Sequence, residues 1–287
     1  MSTAAEPLIQ YLRQLESQGQ THVSIDDESR KILRAFYIRA RAGTPAKQAR
    51  APKGSKPAVA RPTDEPTSTR AQVPALVVTG NTPAEKIDSL KRQVTRWAPV
   101  LAQKDLRKTM VFSVGNPSAD VMLVGEAPGY DEERLGEPFV GKAGQKLDGI
   151  LKAMGIDRRS VYISNIVKFR PAMPNQTTNN RKPTKEEMDA CLPFIHEEVK
   201  VVAPKVIIAL GGTAAQALLN CDQPVGSMRG CFHDYAGIPL RVTYHPSYIL
   251  HNEATSEKRK LWEDMLAVMD LLRMPISEKQ RGYFLTN

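Results

Sequence analysis

The chain has 287 residues, 41% of them hydrophobic, with 40 Lys and Arg against 31 Asp and Glu, a formal charge of +9. That length and apolar content predict one sizeable α/β domain plus an extension, and the basic balance favours a polyanionic partner bound through phosphates. No stretch reaches the eighteen or so consecutive apolar residues of a membrane span, the opening MSTAAEPLIQYLRQ lacks a secretory apolar run, and Cys191, Cys221 and Cys231 have no paired spacing. A cytosolic protein is expected, with no membrane association, no zinc site and no disulfide framework.

Near the start, Leu8, Tyr11, Leu12 and Leu15 recur at helical spacing, and Ile32, Leu33, Phe36 and Tyr37 suggest a second short helix, so residues 1–41 are expected to form a small helical segment. Residues 42–75 are Pro, Ala, Ser, Thr and basic residues with no aromatic, a composition unable to bury enough surface to offset ordering, and are expected to be a disordered linker. Between Arg41 and Gln72 seven basic residues face only Asp64 and Glu65, so more than half of the net charge lies there. The partner of such a tether is not named by its sequence.

From residue 76 to 287 the pattern is that of a folded domain. A helix is predicted around Pro83 to Trp97, then strand Val121 to Val124, helix Ala143 to Met154, strand Val161 to Ile166, helix Thr184 to Val202 and strand Val206 to Leu210. A helix at Thr213 to Leu219, a strand at Leu240 to Tyr244 and a last helix carrying Leu261, Met265, Val268, Met269 and Leu272 complete the series. The strands are apolar throughout, as in a parallel sheet covered on both faces. The expected fold class is a three-layer α/β/α sandwich with a four-stranded parallel central sheet and a helical N-terminal extension.

In open parallel sheets the ligand crevice lies beyond the carboxyl ends of the strands. The distinctive polar residues fall there: Glu126 in GEAPG after the first strand, Asn165 in YISN at the end of the second, and His245 in HPSYIL after the last. GEAPG alone is a tight turn, and it does not match the phosphate-loop pattern. The ordered series GEAPG, PFVGKAGQ, YISN, NNRKPT, PKVIIALGGTAA and HPSYIL resembles the uracil-DNA glycosylase superfamily, most of all its family 4 members, over roughly Phe112 to Leu272.

The resemblance implies excision of uracil from DNA by base flipping and hydrolysis of the N-glycosidic bond, the opening step of base excision repair, by a monofunctional enzyme acting as a monomer. Phe139 would stack on the flipped base, and Asn165 would accept from uracil N3–H and donate to O4, a pattern that cytosine reverses. His245 would donate to the leaving oxygen, and Glu126 would polarise water and stabilise the cationic sugar, with Ala127 and Gly129 of the same loop against the base. Each has a plainer alternative: a core Phe, an Asn satisfying a strand end, a His capping a turn, a Glu fixing its own loop. Lys142, Lys146, Arg170, Arg181, Lys182 and Ser247 are candidates for contact with DNA, and Tyr248 or Leu250 for the wedge that fills the vacated stack.

Two departures accompany the resemblance. Ala127 stands where the best-known superfamily members have an aspartate, an alanine shared by family 4. Family 4 members characteristically hold an iron–sulfur cluster on four cysteines. Here Phe169 occupies the expected third position, Cys191 matches the fourth, and no cysteine precedes it. No cluster and no other cofactor or metal is therefore expected, with packing of Phe169, Leu192 and Trp97 in its place. Two alternatives stay open: a uracil- or DNA-binding module without catalysis, and a glycosylase for another deaminated base.

Overall fold

The structure is a computed structural model, and it describes residues 76–285. The expected helical segment at 1–41 and linker at 42–75 lie outside the described residues.

Two of the longer helices start where a threonine caps them. Thr82 accepts from the Glu85 N–H and Glu85 reaches back to open α1 (Pro83–Val94), and Thr184 with Glu187 does the same for α5 (Lys185–Val202). In between come α2 (Ala98–Leu101), β1 (Leu106–Met110), β2 (Val114–Gly115), β3 (Val121–Gly125), α3 (Tyr130–Leu135), α4 (Lys142–Met154), β4 (Tyr162–Asn165) and β5 (Phe169–Pro171). The chain continues through β6 (Val206–Leu210), α6 (Gly212–Leu219), α7 (Val225–Met228), β7 (Phe232–Tyr235), β8 (Ile238–Thr243), α8 (Pro246–His251), α9 (Thr255–Leu271) and α10 (Glu278–Arg281). No helix among the described residues is long and apolar enough to cross a membrane.

The main sheet has six strands in the order β2-β4-β3-β6-β8-β7. Its inner four, β4-β3-β6-β8, are parallel as expected; β2 and β7 add antiparallel edges, and β1 with β5 makes a separate two-stranded sheet. The expectation of four strands thus missed both edges, which are too short and too exposed to show apolar alternation.

Alternate residues of each inner strand enter opposite cores. Met122, Val124, Ile207, Ala209, Leu240 and Val242 pack with α1, α5 and α6 on one face. Val121, Leu123, Val206, Ile208 and Leu210 pack with α4 and α9 on the other. Both faces being covered explains why the strands read as unbroken apolar runs.

One buried carboxylate fastens the last helix to the sheet. Asp264 on α9 accepts from Arg241 Nε at 3.0 Å, Thr243 Oγ1 at 2.8 Å and Arg229 Nε at 2.7 Å. Replacing Asp264 by Leu leaves the buried Arg241 guanidinium without its counter-ion and is expected to lower unfolding stability by about 3–5 kcal/mol, measured by denaturant titration.

Candidate active site

The carboxyl ends of β3, β4, β6 and β8 open into a cleft of about 800 Å³ lined by Glu126, Phe139, Asn165, Thr213 and His245 among others. The cleft therefore lies where a parallel sheet of this topology places ligands, and it gathers all four residues expected from the sequence to do chemistry.

A close approach at its floor is set by strand register. Gly125, last residue of β3, pairs with Asn165, last residue of β4. A β-carbon on Gly125 would collide with Asn165 Oδ1 and with the Phe139 ring, so the absent side chain is what lets amide and aromatic face meet. Asn165 is 1% exposed, and its Oδ1 has no hydrogen-bond partner. A buried carbonyl oxygen left unpaired is costly and points into a place for a donor.

Phe139 is buried with φ of 55°, a left-handed conformation unusual for a side chain of this size. Glu132 supplies much of the restraint. Its Oε1 accepts from the N–H groups of Val140 (3.0 Å) and Gly141 (2.8 Å), and its Oε2 from Gly129 (3.1 Å), so one carboxylate ties the GEAPG loop to the segment carrying Phe139. Sequence reading passed over Glu132, although a Glu three residues after Gly129 at a helix start is a readable capping signal.

His245 is the N-cap of α8, a six-residue helix where the sequence suggested only a turn. Its ring centroid lies 5.6 Å from that of Phe139. Nδ1 accepts from the Ser247 N–H at 3.2 Å and lies 2.7 Å from Ser247 Oγ, so in the neutral ring the proton resides on Nε2. Burial pushes the imidazole pKa down to about 4, which keeps the ring neutral at physiological pH. The close approach behind it requires Gly211, whose φ is +95° and whose β-carbon would stand 3.0 Å from His245 Cβ.

Burial raises the Glu126 pKa, while a hydrogen bond with Thr213 and the charge of Lys182 pull it down. Thr213 is the second residue of α6, so Glu126 meets the first turn of a helix, whose N–H groups favour an anion. Thr213 was not singled out from sequence; its place right after Gly211 and Gly212 at a strand end was the signal available. Ala127 and Gly129 also line the cleft.

The residues expected to touch DNA divide. Lys142 and Lys182 are exposed, Lys146 is half-buried, and Ser247 and Tyr248 lie on the cleft wall. Tyr248 packs on Tyr244 with centroids 4.6 Å apart and its hydroxyl donates to Glu257. Leu250 lines a neighbouring groove between α4 and α9 rather than the cleft itself.

Arg170 corrects the expectation of phosphate contact, whereas Arg181 lines the cleft with its guanidinium largely engaged by protein groups. Arg170 is 1% exposed, and its guanidinium donates to Asn180 Oδ1, Glu133 and the carbonyls of Thr177 and Asn179. Arg181 makes a double bond-pair to Glu187 and also holds the carbonyls of Ala172, Lys182 and Asp105. Both order the loop from Ala172 to Pro183 from within. An isolated Arg in a sequence does not reveal whether carbonyls or phosphates will meet it.

The segment expected to take the place of a cluster is packed and apolar. Cys191 is fully buried with its thiol pKa pushed up to about 11 by desolvation, Phe169 is buried beside it in the same core, and Trp97 meets Phe194 edge to face at 5.6 Å. Among the described residues no group of three or more His, Cys, Asp or Glu is arranged to hold a metal ion.

The family model of the uracil DNA glycosylase superfamily matches residues 112–266. The chain is 39% identical over 161 residues to a type-4 uracil-DNA glycosylase of Thermotoga maritima, covering 55% of this chain and 81% of that protein. It is 40% identical over 156 residues to a type-4 uracil-DNA glycosylase of Pyrobaculum aerophilum, covering 52% and 76%, and 35% identical over 185 residues to one of Archaeoglobus fulgidus, covering 61% and 88%.

The His245 pKa, about 4 when folded against about 6.5 when unfolded, means that the unfolded chain binds a proton the native chain does not. Stability is thus expected to fall as pH drops from 6.5 towards 4 and to take no further contribution from this group below that. His245→Gln should flatten the same window, as read from denaturation midpoints between pH 4 and 7.

Proposed function

The chain belongs to the uracil DNA glycosylase superfamily, and from that premise we propose that it excises uracil from DNA by hydrolysing the N-glycosidic bond of a flipped-out deoxyuridine. The observation that carries this reading is the unpaired, buried Oδ1 of Asn165 beside the Phe139 ring and the neutral His245. Catalysis is assigned to the domain read from the sequence over residues 76–287, of which 76–285 are described.

In this reading the extruded uracil lies against Phe139, gives its N3–H to Asn165 Oδ1 and receives the side-chain N–H at O4. Cytosine offers a lone pair at N3 and an amino group at C4, which would leave both Asn165 groups facing their own kind. His245 donates from Nε2 to uracil O2 as the C1′–N1 bond breaks and its electron pair passes to the base. With Nδ1 occupied by the Ser247 N–H, the neutral ring presents Nε2–H as a hydrogen-bond donor to the departing anion and keeps its proton. Water adds at C1′, and its proton passes to the Glu126 carboxylate, whose raised pKa brings it nearer the working pH of a base. With alanine at position 127, holding the uracil anion contributes more than base strength. Lys142, Lys146 and Lys182 supply phosphate contacts, and the enzyme acts as a monomer in the cytoplasm.

The residues present do not fit an iron–sulfur cluster. A cluster needs four thiolates, and the matching region offers one buried thiol with a raised pKa, next to Phe169. Purified protein is expected to be colourless; stoichiometric iron and sulfide would overturn this.

Uracil release from labelled single- and double-stranded oligonucleotides tests the activity, and no release from either at high enzyme concentration would refute it. His245→Ala should lower the single-turnover rate about 10²–10³-fold with little change in DNA affinity, the size typical of losing one oxyanion donor. A module that only binds uracil-containing DNA would have no such rate to lose.

A further inference from the structure

Beneath Asn165 lies a group of charged side chains that the proposed chemistry does not use. Lys168 and Glu198 are both 0% exposed and form an ion pair. Lys168 Nζ also donates to Ser164 Oγ at 2.6 Å and sits 4.8 Å from the Phe112 ring centroid. Ser164 Oγ donates to Glu198 Oε2 at 2.7 Å, and the Tyr162 hydroxyl lies 3.0 Å from the same oxygen and 2.7 Å from Ser113 Oγ. Every charge and hydroxyl in the group has a partner.

Stability does not account for this arrangement. Burying two full charges is expensive, and well-packed apolar side chains of similar volume often stabilise a fold as well or better. What an ion pair adds over apolar packing is direction and register, and here both bear on the cleft.

Lys168 and Ser164 flank Asn165 on the same stretch of chain. Between them, Ile166 N–H donates to Gly125 O at 2.9 Å and Val167 N–H to Glu126 O at 3.0 Å, while Lys168 O accepts from Val111 N–H at 2.8 Å. The five residues from Ser164 to Lys168 are therefore bound to the GEAPG loop through their backbone and to Glu198 on α5 through their side chains. With no partner on its own Oδ1, Asn165 inherits its position from these neighbours.

We propose that the Lys168–Glu198 pair, with Ser164, is a positioning device that holds the Asn165 amide at the depth and angle needed to read uracil. It acts through the backbone and does not touch the base. The inference rests on the uracil-excising reading above.

The test replaces the pair by apolar residues in the full chain, Lys168→Met with Glu198→Leu, and removes the bridging hydroxyl separately by Ser164→Ala. Thermal midpoint, affinity for an oligonucleotide with a non-cleavable abasic analogue, single-turnover rate and inhibition by free uracil are measured for each beside the wild type. The double variant strands the buried Ser164 hydroxyl and is expected to melt somewhat lower than wild type while staying folded and binding the abasic oligonucleotide equally well. Its rate should fall roughly tenfold to a hundredfold, the scale of an ångström-sized misplacement, with free-uracil inhibition weakened in step. Ser164→Ala should show the same pattern more mildly, and it decides the matter if the double variant does not fold. Wild-type rate and uracil inhibition in the folded variants would overturn the positioning role. Absence of uracil release from the wild type itself would instead overturn the reading on which the role depends, and this inference with it.

Discussion

The cleft depends on the pairing of Gly125 with Asn165 across two parallel strands. Parallel register brings the last residues of β3 and β4 level at the sheet edge, so a one-residue slip would turn Asn165 away from the cleft. The missing side chain on Gly125 leaves room for the Phe139 ring on the other side. Phe139 in turn needs its left-handed backbone, which Glu132 helps to fix through three backbone N–H groups of two loops. One steric allowance thus propagates through amide, ring and loop. The order of causes runs from the sheet outward.

The polar groups of the cleft are held in states that a solvated side chain would leave. Asn165 keeps an unpaired acceptor, His245 is neutral with its proton directed by Ser247, and Glu126 is partly desolvated. Each costs stability in the empty protein, and in the proposed mechanism each serves a base that brings a donor, leaves as an anion and is replaced by water. The surrounding network of Arg170, Arg181 and Asp264 works in the opposite direction, since their partners are all protein groups and they stiffen the loops and the last helix.

Much of this was legible in the sequence because period and capping carry it. The four inner strands and the helices α1, α4, α5 and α9 follow from apolar runs, helical stripes and the Thr caps; Glu126, Asn165 and His245 fall at strand ends and Phe139 in the loop before α4, where the motifs that resemble the superfamily place them. What escaped was short or depends on partners distant in the chain. Edge strands of two and four residues give no usable alternation, and a six-residue helix after His245 reads as a turn. Arg170 and Arg181 looked like surface charges because nothing local announces that backbone carbonyls will surround them. Glu198 lies 30 residues beyond Lys168, and no local pattern joins the two.

The strand order β2-β4-β3-β6-β8-β7 bears on synthesis as well as on shape. Glu126, Phe139 and Asn165 are all made before β8, which lies beside β6, and only the residues after β8 deliver His245. Behind it α9 must still pack on the sheet, with the Trp262 indole bonded to Gln280 O and Gln280 reaching Ala153 O near the end of α4. Three of the four cleft residues are thus synthesised before the strand that brings His245 to them. The wall carrying Tyr244, His245 and Tyr248 completes the cleft only after the other walls have been made.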